Sequence, residues 1–157
     1  MFGSENQAQL ANAVILIAED DENDVFLIKR ALHQAQFDNP LQVVSTGQDA
    51  ISYLKGESPY VPREKFPIPG LVLLDLKMPL KNGFEVLSWI RQHTEFNSLP
   101  VVVLTPSQES ADVNRAYALG ANSYLVKPAS FVSLVEMINR LKEYFKFTAQ
   151  NVGTTWV

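Results

Sequence analysis

Cysteine is absent from the 157 residues. That excludes disulfides, thiolate metal ligands and cysteine nucleophiles, and it fits a reducing compartment. Histidine is scarce: His33 and His93 each stand alone in a helical pattern and read as surface or packing residues. Basic residues are scattered rather than gathered into a stripe, and the net charge is −4, so nothing points to a nucleic-acid surface. No apolar run approaches the roughly 18 residues of a membrane span. The first twelve residues, MFGSENQAQLAN, lack the basic start and apolar stretch of a signal peptide. Repeats and low-complexity segments are missing too. The expectation is a cytoplasmic protein with no nucleic-acid or membrane partner. Its length suits one domain with a sizeable core better than two.

What is present is a set of five short apolar runs: Val14–Ala18, Leu41–Val44, Leu71–Leu74, Val101–Leu104 and Tyr124–Val126. Most lack polar alternation, as strands do when both faces of a parallel sheet are covered by helices. Helical patterns lie between them. Asn23 is the expected cap of the first, which carries Phe26, Leu27, Ala31, Leu32 and Ala35. Gly47–Lys55 is the second, and Phe84, Val86, Leu87 and Ile90 mark the third, with Trp89 as a packing residue. Ala111–Leu119 is the fourth and stops at Gly120. The fifth is marked by Phe131, Leu134, Val135, Ile138, Leu141 and Phe145 at helical spacing. Strand–helix alternation repeated five times predicts a doubly wound α/β fold. Gly56–Pro69 holds four of the nine prolines and reads as a long surface loop. Residues 1–12 read as a disordered or loosely attached segment, 13–146 as the domain, and 147–157 as a tail.

The chemistry lies at the ends of the apolar runs. The first ends in Glu19-Asp20-Asp21, the third in Asp75, the fourth in Thr105 and the fifth in Lys127-Pro128. Parallel strands put their C-terminal ends on one edge of the sheet, where ligands of open α/β folds bind. Carboxylates gathered there repel one another unless positive charge joins them. Lys127 supplies one charge, and a hard dication such as magnesium would supply two more. An aspartate can act as nucleophile toward phosphorus, with the metal, Lys127 and the Thr105 hydroxyl stabilising charge. Each residue alone has a plainer reading: an acidic run suits a helix N-terminus, Thr105 a helix cap, Lys127 the surface. Four such residues at four strand ends are not explained that way together.

The segments ILIAEDDEND, LVLLDLKMPLKNGFEVL, VVVLT and ALGANSYLVKP resemble the receiver domains of two-component response regulators, from about Val14 to Phe145. The resemblance implies a flavodoxin-like (βα)5 fold with strand order 2-1-3-4-5. It implies Asp75 as the modified phospho-acceptor, and Glu19, Asp20, Asp75 and the Lys77 carbonyl as holders of Mg2+ or Mn2+. It implies Thr105 and Lys127 as the groups that bind the phosphoryl oxygens, Thr105 and Tyr124 as switch residues, and a cis bond before Pro128. Gly83, in the turn after the acceptor, is expected to take a backbone conformation closed to most residues.

The implied function is a switch without an output domain, phosphorylated by a sensor histidine kinase or phosphotransfer protein and signalling to a downstream protein. It would catalyse only its own phosphorylation and dephosphorylation. A homodimer or a kinase-docking surface built from the fourth helix, fifth strand and fifth helix is a further expectation. Four features depart from the common pattern: Glu19 at the first acidic position lengthens the reach to metal, Lys77 puts a cation beside the site, Pro106 removes the backbone donor after Thr105, and the loop Gly56–Pro69 is longer than in compact receivers. The long loop and acidic start resemble the small regulators paired with phytochrome-type kinases. Three other readings compete. A degenerate receiver would lack the full acid, Asp, Thr and Lys set. A flavodoxin would need a glycine- and hydroxyl-rich phosphate loop. An aspartate-nucleophile phosphatase would carry DxD after the first strand.

Overall fold

The computed structural model describes residues 13–152, with side chains through residue 144. Its elements are β1 (Ile15–Ala18), α1 (Glu22–Gln34), β2 (Leu41–Val44), α2 (Gly47–Lys55), β3 (Leu71–Leu74) and α3 (Gly83–Gln92). A 3-10 turn (Thr94–Phe96), β4 (Val101–Thr105), α4 (Ser110–Ala118), β5 (Ser123–Val126) and α5 (Phe131–Val152) complete the chain. The strands form one parallel sheet in the order β2-β1-β3-β4-β5, as the resemblance implied.

Side chains on each strand alternate between two cores because successive residues point to opposite faces. Ile15, Ile17, Leu71 and Leu73 meet Ile28 and Leu32 of α1 and Leu134 and Ile138 of α5. Leu16, Ala18, Val72 and Leu74 meet Ile51 and Leu54 of α2, Leu87 and Ile90 of α3 and Ala116 of α4. That two-sided cover is why β1, β3 and β4 are fully buried and uniformly apolar up to Thr105. The edge strands β2 and β5 are mostly half-buried and tolerate Gln42 and Ser123.

Helix ends follow local chemistry, with some differences from expectation. The cap of α1 is Asp21 rather than Asn23: its carboxylate accepts the Asp24 amide at 2.9 Å, and Asn23 lies inside the first turn. Thr46 and Asn82 cap α2 and α3 in the same way. Gly120 lies just past the end of α4 with φ +105°, as its position predicted. Gly83 is a correction, because its φ is not positive. A Cβ there would stand 2.3 Å from the Asp75 carbonyl oxygen, so glycine is required by close approach of α3 to the strand end. The positive φ values in this turn belong to Leu80 (48°) and Lys81 (85°). Among the described residues the cis bonds are Ser58–Pro59 and Val61–Pro62; Lys127–Pro128 is not one of them. The trans form before proline is the more stable by about 0.5–1 kcal/mol, and the Lys127 amide continues the sheet with a bond to the Thr105 carbonyl at 2.8 Å.

The segment after α2 lies at the surface, with Val61 and Ile68 exposed, yet it is firmly attached. Tyr60 and Phe66 pack against the buried Tyr53 ring at centroid distances of 5.4 and 6.0 Å. Arg63 donates to the carbonyl of Leu54 (2.5 Å), which accepts no amide at the end of α2, and to that of Tyr53 (3.0 Å), which also accepts the Gly56 amide at 3.0 Å. Helix α5 continues to Val152, into the segment read as a tail. The expectation for residues 1–12, and that for the end of the tail, lie outside the described residues.

Candidate functional site

The sheet's hydrogen-bond ladder runs one step beyond the strands and so sets the site. Glu19 N donates to the Val44 carbonyl, Asp75 N to that of Ala18 and Lys127 N to that of Thr105, at 3.0, 3.0 and 2.8 Å. Each of these side chains therefore emerges at the C-terminal edge of the sheet. Glu19, Asp75 and Thr105 are the buried polar side chains among the described residues. Asp20 is exposed at the rim.

Lys127 ties the carboxylates together. Its ammonium forms a short ion pair with Glu19 Oε1 and others with Asp24 Oδ2 (3.0 Å) and Asp75 Oδ2 (3.6 Å). The second Glu19 oxygen accepts the Asp21 amide at 3.1 Å. Burial pushes Glu19 up to about 7, helped by the nearby Asp75 charge and opposed by the bonds from Lys127 and Asp21. Burial pulls Lys127 down, but Glu19, Asp75 and Asp24 outweigh it, so its pKa is raised. The positive charge is thereby held in place. Ligand atoms of Glu19, Asp20 and Asp75 all lie within 4.8 Å of one another.

The other expected residues surround this cluster. The Lys77 amide reaches Asp75 Oδ1 at 3.4 Å, while its side chain is exposed. Thr105 ends β4 with no exposed surface. Its hydroxyl oxygen accepts the Ser107 amide at 3.5 Å. The half-buried Tyr124 donates its hydroxyl to the Ser107 carbonyl at 3.0 Å. Sequence reasoning missed Asp24 as a partner of Lys127 and Asp112 as the acceptor of the Ser107 hydroxyl at 2.5 Å. Both sit in first helical turns, where acids are favoured for the helix's own sake, so neither carried a distinguishing signal. His33 is exposed, and His93 stacks on Trp89 at 4.0 Å, as packing residues.

Known proteins share this arrangement's sequence and fold. The model of the response regulator receiver domain matches residues 15–139. Response regulator Rcp1 of Synechocystis sp. is 36% identical over 132 residues, covering 84% of this chain and 88% of Rcp1. The "Probable methanogenesis regulatory protein FilR2" of Methanothrix harundinacea is 38% identical over 137 residues, 84% of this chain and 83% of that protein. Among solved structures, the phosphorylated cyanobacterial phytochrome response regulator RcpA superposes with a TM-score of 0.77 at 32% identity, covering 85% and 93% of the two chains. The Mn2+-bound form of Rcp1 superposes with a TM-score of 0.76 at 35% identity, covering 85% and 94%.

Proposed function

The chain belongs to the response regulator receiver domain family, and from that membership we propose that it accepts a phosphoryl group on Asp75 and passes the signal on by protein contact. Receiver domains are phosphorylated on an aspartate, act as signalling switches and work with histidine kinases or phosphotransfer proteins. The observation that carries the assignment is the buried Asp75 carboxylate, 3.6 Å from the Lys127 ammonium and clustered with Glu19 and Asp20. One Asp75 oxygen would form the bond to phosphorus as the bond to the donor's leaving atom breaks, a histidine nitrogen for a kinase or an acetate oxygen for acetyl phosphate. Lys127 and the Thr105 hydroxyl are the groups we assign to the phosphoryl oxygens.

The donor set suits a hard dication. All three carboxylates are oxygen ligands, and cysteine and histidine are absent from the cluster. Glu19, Asp20, Asp75 and the Lys77 carbonyl would hold Mg2+ or Mn2+, as Rcp1 is seen in a Mn2+-bound form. When bound, the ion supplies positive charge beside the phosphoryl group. Tyr124 is assigned as the aromatic switch, residues 13–146 as the receiver domain, and the cytoplasm as the compartment. No helix among the described residues is long and apolar enough to cross a membrane.

The test is intact-mass analysis after incubation with acetyl phosphate and magnesium. The wild-type chain is expected to gain one phosphoryl group and Asp75→Asn none. A magnesium-dependent gain in Asp75→Asn overturns the assignment. We assign the outgoing contact to α4, β5 and α5, where Tyr117 is 48% exposed, with a homodimer as the form it takes. Light scattering is expected to show that dimer with a phosphate mimic bound; a monomer with and without the mimic removes it.

A further inference from the structure

Ser107 is fastened at all three of its polar groups. Its amide donates to Thr105 Oγ1 (3.5 Å), its carbonyl accepts the Tyr124 hydroxyl (3.0 Å), and its own hydroxyl donates to Asp112 Oδ2 (2.5 Å). The Ser107 hydroxyl also accepts the Glu109 amide at 3.4 Å. Pro106 has no N–H, so Ser107 carries the first backbone donor after Thr105. Asp112 lies in the first turn of α4, and that helix reaches Tyr124 a second time through the Tyr117 hydroxyl, which accepts the Tyr124 amide at 3.1 Å. The loop between β4 and α4 is thus fastened through one serine, whose side-chain hydroxyl is held by the Asp112 carboxylate.

A threonine hydroxyl has one hydrogen to give and two lone pairs. Where Oγ1 accepts the Ser107 amide, the hydroxyl hydrogen must turn to some other acceptor. Thr105 is fully buried at the strand edge that Asp75 and Lys127 share, so water does not take up that hydrogen. We propose that Asp112 is a positioning residue for the phosphoryl site: by holding Ser107 it fixes the Ser107 amide on Thr105 and leaves the Thr105 hydroxyl free to donate to a phosphoryl oxygen. Asp112 itself touches no reacting atom. The proposal rests on the assignment of Asp75 as phospho-acceptor.

The experiment measures beryllofluoride affinity in the presence of magnesium, and magnesium affinity without beryllofluoride, for the full chain. Asp112→Ala is expected to weaken beryllofluoride binding by roughly three- to tenfold, the loss of one hydrogen bond's worth of positioning. Its magnesium affinity should stay at the wild-type level, since no metal-binding carboxylate is changed. Ser107→Ala should show the same loss, and the double variant no more than either single one. Asp112→Asn keeps an oxygen acceptor for the Ser107 hydroxyl and should bind beryllofluoride as the wild type does. Should Asp112→Ala fail to fold, Ser107→Ala and Asp112→Asn carry the test. Beryllofluoride affinity unchanged in both alanine variants, or losses that add in the double variant, overturn the proposal. A wild-type chain that binds no beryllofluoride and takes no phosphoryl group overturns the phospho-acceptor assignment instead.

Discussion

Single residues of like charge separate here into different tasks, and Asp20 and Asp21 make the contrast testable. Asp20 offers a carboxylate oxygen to the cluster with Glu19 and Asp75. Asp21 spends its side chain on the α1 cap, accepting the Asp24 amide. Asp20→Ala should therefore lower magnesium affinity with little change in stability. Asp21→Ala should cost about 0.5–2 kcal/mol of stability, the usual worth of a lost N-cap, and leave magnesium affinity near its original value. Magnesium titration and urea unfolding on both variants check this; equal metal losses would mean that the acidic run is misassigned. The same contrast shows what a bare sequence conveys. Asp75, Thr105 and Lys127 stood out because each ends an apolar strand, and parallel strands bring their ends to one edge. Asp24 and Asp112 did not, because an acid in a first helical turn has a sufficient local reason to be there, and nothing local marks its second partner.

Among the elements, the strands and helices were foreseeable from apolar spacing, whereas the segment from Gly56 to Pro69 was foreseen only as a loop. Its prolines announced irregular backbone, but nothing in their spacing revealed that Arg63 folds back on the end of α2. That arrangement depends on Tyr53, buried on α2, whose ring packs against Tyr60 and Phe66 and whose hydroxyl donates to the Pro67 carbonyl at 2.9 Å. Arg63 satisfies carbonyls on both sides of this packing, reaching that of Phe66 at 3.3 Å as well. Arg63→Ala would leave the Leu54 and Phe66 carbonyls to water, and that of Tyr53 with the Gly56 amide alone, and would release the loop from the helix. A destabilisation of about 1–3 kcal/mol is expected, with faster amide exchange confined to residues 53–66. The acidic cluster proposed as the phosphoryl site, at the opposite edge of the sheet, should keep its magnesium affinity. Denaturant unfolding and hydrogen exchange measure both parts, and an unchanged midpoint would show that the guanidinium is dispensable.

The molecule as a whole balances a stable two-sided core against an edge crowded with negative charge. Glu19 and Asp75 are buried close together, and Lys127 is the one cation among the described residues that touches both. That pairing is costly to break from one side: removing one partner of a buried ion pair costs about 3–5 kcal/mol, because the other charge stays behind. The metal-free fold therefore depends on Lys127, and a dication held by Glu19, Asp20 and Asp75 should relieve the same repulsion. Binding to the folded state alone stabilises by linkage, about 2.7 kcal/mol at a ligand concentration 100 times the dissociation constant. In a domain of this length each kcal/mol moves the melting midpoint by about 2–4 °C, so saturating magnesium should raise Tm by about 5–11 °C over the chelated protein. Asp75→Asn removes one repelling carboxylate while Lys127 keeps Glu19 and Asp24. It should melt no lower than the wild type in chelator and lose most of the magnesium response. Lys127→Ala should melt far lower in chelator and recover part of the deficit when magnesium is added, since the ion replaces some of the missing positive charge. Thermal unfolding of the three proteins with magnesium and with chelator decides the matter. A wild-type Tm indifferent to magnesium would mean that these carboxylates do not hold the ion.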